Sequence, residues 1–172
     1  MSTKALLDRL LGRGRHHTVK LRQRTIKFEA DLQAWHRLES GVLIPKGCLS
    51  NDVVTDTGVG FMVDAFQNLV ELENMNFHDA GTGTGAEAAA DTGLGTPFGG
   101  SRVSGTQSEP AANQYRTTAT IPFTSTLAIT EHGIFSASTS GVLWDRSKFT
   151  AINVVNGDSI QFQYTLTLTS GG

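Results

Sequence analysis

The sequence predicts a mainly β protein: an antiparallel β-sandwich of jelly-roll-like form, with one amphipathic helix and an extended N-terminal arm. In the second half of the 172-residue chain, apolar and polar residues alternate as in half-buried strands, without interruption over Ile160–Leu168. Turn pairs such as Ser140-Gly141 separate these runs, and glycine occurs at 19 positions. No strand–helix–strand repeat indicates a parallel sheet.

Charge divides the chain into a basic N-terminal arm, residues 1–37, and an acidic body, residues 38–172. The arm contains nine Lys or Arg and three acidic residues, a net charge of +6, whereas the body has five bases and thirteen acids, a net charge of −8. A basic arm on an acidic body indicates a negatively charged partner. Nucleic acid and the acidic body of a neighbouring copy both fit.

The start of the arm, residues 5–11, is predicted to form a short helix with an apolar stripe. Ser2 or Thr3 can cap its first turn, and Gly12 would end it. Seven residues do not hold a helix alone in water, so this helix must dock on another surface. The predicted partner-binding residues are the leucines of the stripe, for docking, and the arginines that follow, for charge contacts. They are Leu6, Leu7, Leu10, Leu11, Arg13, Arg15, Arg22 and Arg24.

Between the arm and the second half, the sequence predicts a basic strand over residues 19–28, a short buried strand over residues 41–45 and one long helix. Asp56 or Thr57 would cap this helix, which covers about residues 58–70. We expect its apolar face to pack across the sheet. That face comprises Val59, Met62, Val63, Phe66, Leu69 and Val70.

The glycine-rich stretch FHDAGTGTGAEAAADTGLGTP, residues 77–97, contains a run from Gly81 to Ala86 that fits the dinucleotide pattern G-x-G-x-x-A. A dinucleotide site needs a long helix directly after the glycines, and residues 86–93 provide two turns at most. No acidic residue stands at the distance that a ribose contact requires, and no Gly-Lys-Ser/Thr sequence is present. We therefore expect these glycines to form tight surface turns and expect no nucleotide cofactor.

Candidate catalytic and metal-binding residues are few. Cys48 has no base near it in the sequence and is interpreted as a buried structural thiol. The pairs His78-Asp79 and Glu131-His132 could converge on a metal ion only with a third ligand from elsewhere, and we interpret them as polar residues at strand ends. The sequence thus predicts neither an enzyme nor a metal or cofactor site.

Four segments resemble virion structural proteins of tailed bacteriophages. Residues 129–135, ITEHGIF, and 141–146, GVLWDR, are similar to the pattern I-T-E-x-G-I/L-F … G-x-L-x-x-R of such proteins. Residues 149–168 continue that pattern, and residues 81–94 are similar to an upstream segment, G-x-G-T … A … D-T-x-L. The resemblance covers about residues 55–168 and implies a β-rich protein without catalytic residues that forms symmetric oligomers or binds to a lattice.

The function that this resemblance implies is that of a capsid decoration or cement protein. Such a protein is made in the host cytoplasm and lies on the capsid surface of the virion, where it binds the major capsid protein and neighbouring copies of itself. A tail, collar or baseplate component is the alternative. A nucleic-acid-binding module using the basic arm is the alternative from another class, although eight of the nine bases of the arm lie in residues 4–27, where no Phe, Tyr or Trp is interleaved to stack on single strands. The sequence contains no run of about 18 apolar residues, so we predict no membrane span and no membrane partner.

Overall fold

The computed structural model describes residues 26–50, 53–70 and 74–170. Within these ranges the chain is mainly β, as predicted, with ten strands and one helix. The elements are β1 Ile26–Arg37, β2 Leu43–Ser50, β3 Val53–Val54, α1 Asp56–Phe66, β4 Phe77–Gly81, β5 Val103–Ser104, β6 Thr106–Ala111, β7 Gln114–Pro122, β8 Leu127–Phe135, β9 Leu143–Val154 and β10 Ser159–Ser170.

The strands form two five-stranded sheets. The first sheet has the order β2-β1-β10-β7-β6, and the second has the order β3-β9-β8-β4-β5. Neighbouring strands are antiparallel in both sheets, which confirms the predicted antiparallel pairing. Both sheets contribute side chains to one buried apolar cluster, with Leu32 and Phe162 from the first sheet and Ile134 and Ile152 from the second. The core therefore belongs to both sheets together.

Strand β10 follows the predicted alternation. Ile160, Phe162 and Tyr164 are buried, whereas the intervening Gln161 and Gln163 are half-buried. Successive residues of a strand point to opposite faces, so the apolar set enters the core. Because β10 lies in the middle of the first sheet, between β1 and β7, its apolar side chains also fix the position of that sheet.

Residues 26–37, which the charge pattern places in the arm, form β1. This strand pairs with β10 on one side and β2 on the other, and its Leu32 and Ala34 are fully buried. The folded body therefore begins by Ile26. The charge pattern assigned this segment to the arm because Lys27 and Arg37 are basic, but both occupy exposed positions of a core strand. The predicted strand over residues 19–28 overlaps only the start of β1. All eight predicted partner-binding residues precede Ile26 and lie outside the described residues.

Helix α1 begins at Asp56, with Thr55 as its N-cap rather than Asp56 or Thr57. The Thr55 Oγ1 accepts a hydrogen bond from the Gly58 N–H at 3.0 Å. Gly58 and Phe61 face the core. A Cβ on Gly58 would lie 2.9 Å from Trp144, so this glycine lets the helix backbone approach the sheet closely.

The expected orientation of this helix is wrong. Of the residues predicted to pack inward, only Met62 is half-buried. The others are exposed, and Phe66 is 84% exposed. We name these exposed residues the apolar stripe: Val59, Val63 and Phe66 of α1, and Leu69 and Val70, which lie beyond the end of the helix at Phe66 although the prediction extended it to about residue 70. The helix backbone approaches Trp144 at Gly58, so the side of the helix with Gly58 and Phe61 faces the core. The more apolar side of the helix faces away from the core.

Candidate functional site

Glu131 lies at the centre of the glycine-rich stretch. Its side chain, at the middle of β8, is fully buried. Three backbone N–H groups donate to its carboxylate: Gly83 at 2.9 Å, Gly95 at 2.9 Å and Thr96 at 2.7 Å. Arg146 donates from Nε at 3.0 Å and from Nη2 at 2.7 Å, both to Oε2. The carboxylate thus holds both ends of the loop between Gly83 and Thr96.

Arg146 binds the middle of the same loop. Its Nη1 donates to Asp91 Oδ2 at 2.7 Å and to the Ala86 carbonyl at 3.3 Å, while Nη2 donates to the Gly85 carbonyl at 3.3 Å. Asp91 in turn accepts a hydrogen bond from the Ala88 N–H at 2.8 Å. The loop therefore wraps around a buried ion pair, and we call the set Gly83, Asp91, Gly95, Thr96, Glu131 and Arg146 the ion-pair network.

Both members of the buried pair are charged. Burial alone would raise the pKa of Glu131, but hydrogen bonds from Thr96, Gly95, Arg146 and Gly83 together lower it. Burial likewise opposes the charge of Arg146, and its bonds to Asp91 and Glu131 raise its pKa in spite of this. A carboxylate held ionised in this way, with its oxygens engaged by backbone N–H groups and a guanidinium, is suited to fixing a loop.

The same network explains two of the glycines in the G-x-G-x-x-A run. A Cβ on Gly81 would lie 2.5 Å from Glu131 Oε1, and a Cβ on Gly83 would lie 2.3 Å from the same atom. Gly85 has no such constraint, since a Cβ there would meet nothing within 4 Å. The loop does surround an anion, but that anion is the chain's own carboxylate. The Gly83, Gly95 and Thr96 amides that could have bound a phosphate are engaged by Glu131.

Three segments singled out by their sequence motifs meet in the ion-pair network. Residues 129–135 supply Glu131, residues 141–146 supply Arg146, and residues 81–94 supply Gly83 and Asp91. Sequence reasoning did not predict this convergence. The available signal was a charged residue within each of two strand segments, two positions after an apolar residue on the same strand: Glu131 after Ile129, and Arg146 after Trp144.

The two histidines considered as metal ligands do come together. His78 of β4 and His132 of β8 are buried, and His78 Nδ1 lies 3.0 Å from His132 Nε2. The other ring nitrogen of His78 lies 3.0 Å from Thr117 Oγ1 on β7. The His132 ring packs on Phe162, with the ring centroids 4.4 Å apart. These contacts place the pair between the two sheets.

The carboxylates next to these histidines point the other way, because alternate residues of a strand face opposite sides. Glu131 belongs to the ion-pair network, and the Asp79 Oδ2 atom lies 3.7 Å from Arg102 Nε. Burial raises the pKa of Asp79, and the Ala80 N–H and Arg102 offset part of that rise. The two His–carboxylate pairs therefore do not converge on one point, the arrangement that a metal site with a third ligand would have required. In the described ranges no three His, Cys, Asp or Glu side chains cluster as metal ligands would.

Burial keeps the histidine pair neutral. Desolvation lowers the pKa of His78 from 6.5 to about 3. The pKa of His132 is also lowered well below 6.5, first by burial and then by the neighbouring His78. Neutral rings can share one hydrogen bond, with one nitrogen donating and the other accepting.

The stability of the protein is expected to fall as pH drops below 6.5. An unfolded histidine titrates near 6.5 whereas folded His78 resists protonation down to about 3, so the unfolded chain binds the extra proton. This histidine alone should lower the free energy of unfolding by about 1.4 kcal/mol per pH unit. Urea titrations between pH 7 and about pH 5, above the range of most carboxyl groups, measure the slope. His78→Gln should reduce the slope by about 1.4 kcal/mol per pH unit and leave the contribution of His132, and an unchanged slope in that variant would contradict the assignment.

Cys48 is exposed on β2, so its interpretation as a buried thiol is wrong. Strand β2 is an edge strand of the first sheet, and the thiol donates to Asp31 Oδ1 of β1 at 2.9 Å.

A second feature of the surface is an apolar groove beside α1. It is lined by the apolar and aromatic side chains of Phe61, Met62, Met75, Tyr115, Trp144 and Leu166, together with the polar Asn74 and Gln107. Its volume is ≈ 260 Å³. The polar atoms of its aromatic walls are engaged: Trp144 Nε1 donates to the Tyr164 hydroxyl and Tyr115 donates to the Met75 carbonyl, both at 2.8 Å. The groove therefore offers an apolar lining.

No protein-family model, curated protein or solved structure matches the chain. Within the part of the chain that the structure describes, no helix has both the length and the apolar character that spanning a membrane requires.

Proposed function

We propose that the protein is a structural component of a tailed-bacteriophage virion, a capsid decoration or cement protein that binds and stabilises the lattice of the major capsid protein. In this proposal the two antiparallel sheets stack as a jelly-roll-like sandwich, and copies contact one another as well as the lattice. The apolar stripe is the surface that meets the capsid. The tail, collar or baseplate location is the alternative within the same class.

The observation that carries the proposal is the outward orientation of the apolar stripe. Phe66 is 84% exposed, Leu69 is 68% exposed, and Val59 and Val63 are each 49% exposed. Apolar side chains grouped on one surface of a soluble domain mark a protein contact site. Within α1, Val59, Val63 and Phe66 have the i, i+4, i+7 spacing by which helices bind a groove on a partner, and Leu69 and Val70 follow the end of the helix.

The buried polar side chains support a structural role. The hydrogen bonds of Glu131 and Arg146 fix the glycine-rich loop, and His78 and His132 share a hydrogen bond with each other. In a catalytic site, such groups would need a hydrogen-bond donor or acceptor that is free to reach a substrate. The same three motifs that resemble virion proteins therefore contribute to holding one loop in place.

Charge supports contacts between copies. Residues 1–25 carry seven bases and one acid, a net charge of +6, and residues 26–172 carry seven bases and fifteen acids, a net charge of −8. The N-terminal region of one copy is thus complementary to the body of another. Complementary charge favours the encounter and orientation of such partners.

Localisation in purified particles tests the proposal. Virions from a phage that encodes the chain should contain it by mass spectrometry, and gold-labelled antibody should mark the capsid surface in electron micrographs. Label confined to the tail would support the alternative location. Absence of the chain from intact particles would contradict both.

Substitution in the apolar stripe is expected to release the protein from capsids. Phe66→Glu places a charge at the most exposed apolar side chain, and at a contact site this should lower capsid occupancy at least tenfold, the effect of about 1.4 kcal/mol. Folding should change by no more than about 0.5 kcal/mol, because the position is on the surface. Val42→Glu is the matched control, since Val42 is 55% exposed but lies outside α1. Equal binding by both variants would remove the stripe from the interface.

A further inference from the structure

We propose that the apolar groove beside α1 binds the leucine stripe of the chain's own N-terminal segment. The segment is defined by Leu6, Leu7, Leu10 and Leu11. The inference does not depend on the proposed function, because it concerns the isolated protein.

The groove suits aliphatic side chains. Phe61 and Leu166 are each 8% exposed and Trp144 is 3% exposed, so its walls are rigid parts of the core rather than mobile surface groups. Its ≈ 260 Å³ exceeds the roughly 150 Å³ that accommodates a benzene molecule in a dry protein cavity. The polar atoms of Trp144 and Tyr115 are engaged within the protein, so the aromatic lining presents its apolar surface to the groove. The groove therefore favours an apolar occupant.

The chain enters the fold next to the groove. Strand β1 begins at Ile26, and two residues later the Phe28 ring contacts the Trp144 ring edge-on, with centroids 6.3 Å apart. Trp144 is a wall of the groove. Between Leu11 and Ile26 the sequence has fourteen residues, which reach up to about 50 Å when extended. The leucines can therefore return to the groove of their own molecule without strain in the connection.

Tethering favours this occupant over a separate molecule. A segment joined to the groove by a short linker is present at an effective concentration in the millimolar range. The predicted helix of residues 5–11 is too short to hold its shape in water, and docking four leucines in an apolar groove supplies the burial that it needs. The opposite charges of residues 1–25 and 26–172 add a general attraction.

Disulfide trapping in the full chain tests the proposal. In a Cys48→Ser background, Leu7→Cys or Leu10→Cys is combined with Met62→Cys in the groove. At least one combination should form an intramolecular disulfide on mild oxidation, seen as a faster-migrating monomer on a non-reducing gel. The control combines the same leucine substitutions with Val42→Cys, which is exposed away from the groove. A yield no higher than the control, or disulfides only between molecules, would overturn the proposal.

A second variant avoids dependence on the placement of one thiol. Leu6→Asp with Leu10→Asp in the full chain should empty the groove, so the fluorescence of a dye that binds apolar surfaces should rise. The additional substitution Met62→Asp within the groove should reverse much of that rise. Unchanged dye fluorescence in the double leucine variant, with circular dichroism showing the strands intact, would contradict the docking.

Discussion

Replacing Glu131 with glutamine is expected to lower the free energy of unfolding by about 3–5 kcal/mol, the cost of breaking a buried ion pair on one side. The variant keeps the shape of the side chain but removes its charge. Arg146 would then be buried with only Asp91 as a charged partner. The amide group would also turn an N–H donor toward backbone N–H groups that now donate to the carboxylate.

The measurement is urea unfolding followed by circular dichroism at pH 7. A loss of this size is a large part of the roughly 5–15 kcal/mol that stabilises a typical domain, so partial unfolding without urea is an acceptable outcome. Glu109→Gln is the matched control, because Glu109 is exposed and the same chemical change should cost no more than about 0.5 kcal/mol. A loss below about 1 kcal/mol for Glu131→Gln would show that the pair contributes little.

A double-mutant cycle separates the pair from its surroundings. Arg146→Met alone should also destabilise, since Glu131 would lose both bonds from the guanidinium. Glu131→Gln combined with Arg146→Met should cost less than the sum of the single changes, with a coupling energy of at least about 1 kcal/mol. Additive losses would mean that the loop amides, and not the arginine, supply the stabilisation.

Local pattern was sufficient for the strands and insufficient for the helix orientation. The period of two in β10 specifies which side chains are buried, because one register satisfies every apolar residue. In α1 the apolar stripe was the stronger sequence signal, yet Gly58 and Phe61 face the core. Hydrophobicity ranks side chains but carries no information on where backbones come close, and closeness at Trp144 required a glycine.

The boundary of the body was misplaced for a different reason. Basic residues continue from the N-terminal region onto β1, where Lys27 and Arg37 occupy exposed positions. Net charge averages over both faces of a strand, so it does not register that Leu32 and Ala34 are in the core. The function class was predicted from the resemblance of the motifs and stays a prediction, and the exposed apolar stripe is the structural observation that supports it.

The ion-pair network could not be found from spacing alone, because its members are far apart in the chain. Gly83 and Glu131 are separated by 48 residues, and Asp91 and Arg146 by 55. The G-x-G-x-x-A run is consistent with any anion that needs close backbone approach. Only the three-dimensional structure identifies that anion as the Glu131 carboxylate and explains why Gly81 and Gly83 have no side chain.

Alanine should therefore be strongly destabilising at Gly83 and nearly neutral at Gly85, although both positions belong to the same glycine-rich run. Gly83→Ala puts a methyl group 2.3 Å from Glu131 Oε1, and the carboxylate cannot retreat because Arg146 and the Gly95 and Thr96 amides hold it. The expected loss is about 3 kcal/mol, at the upper end for overpacking a well-filled site. Gly85→Ala meets nothing within 4 Å and should be neutral, or stabilising by a few tenths of a kcal/mol through the unfolded chain.

Thermal unfolding of both variants, with and without added dinucleotide, distinguishes this explanation from a phosphate-binding loop. If the glycines serve the carboxylate, Gly83→Ala lowers Tm, Gly85→Ala does not, and dinucleotide shifts neither the native protein nor the variants. A phosphate loop predicts a higher Tm for the native protein with ligand, because binding to the folded state alone stabilises it. Equal losses at Gly83 and Gly85 would contradict the carboxylate explanation, since only one of these positions faces Glu131.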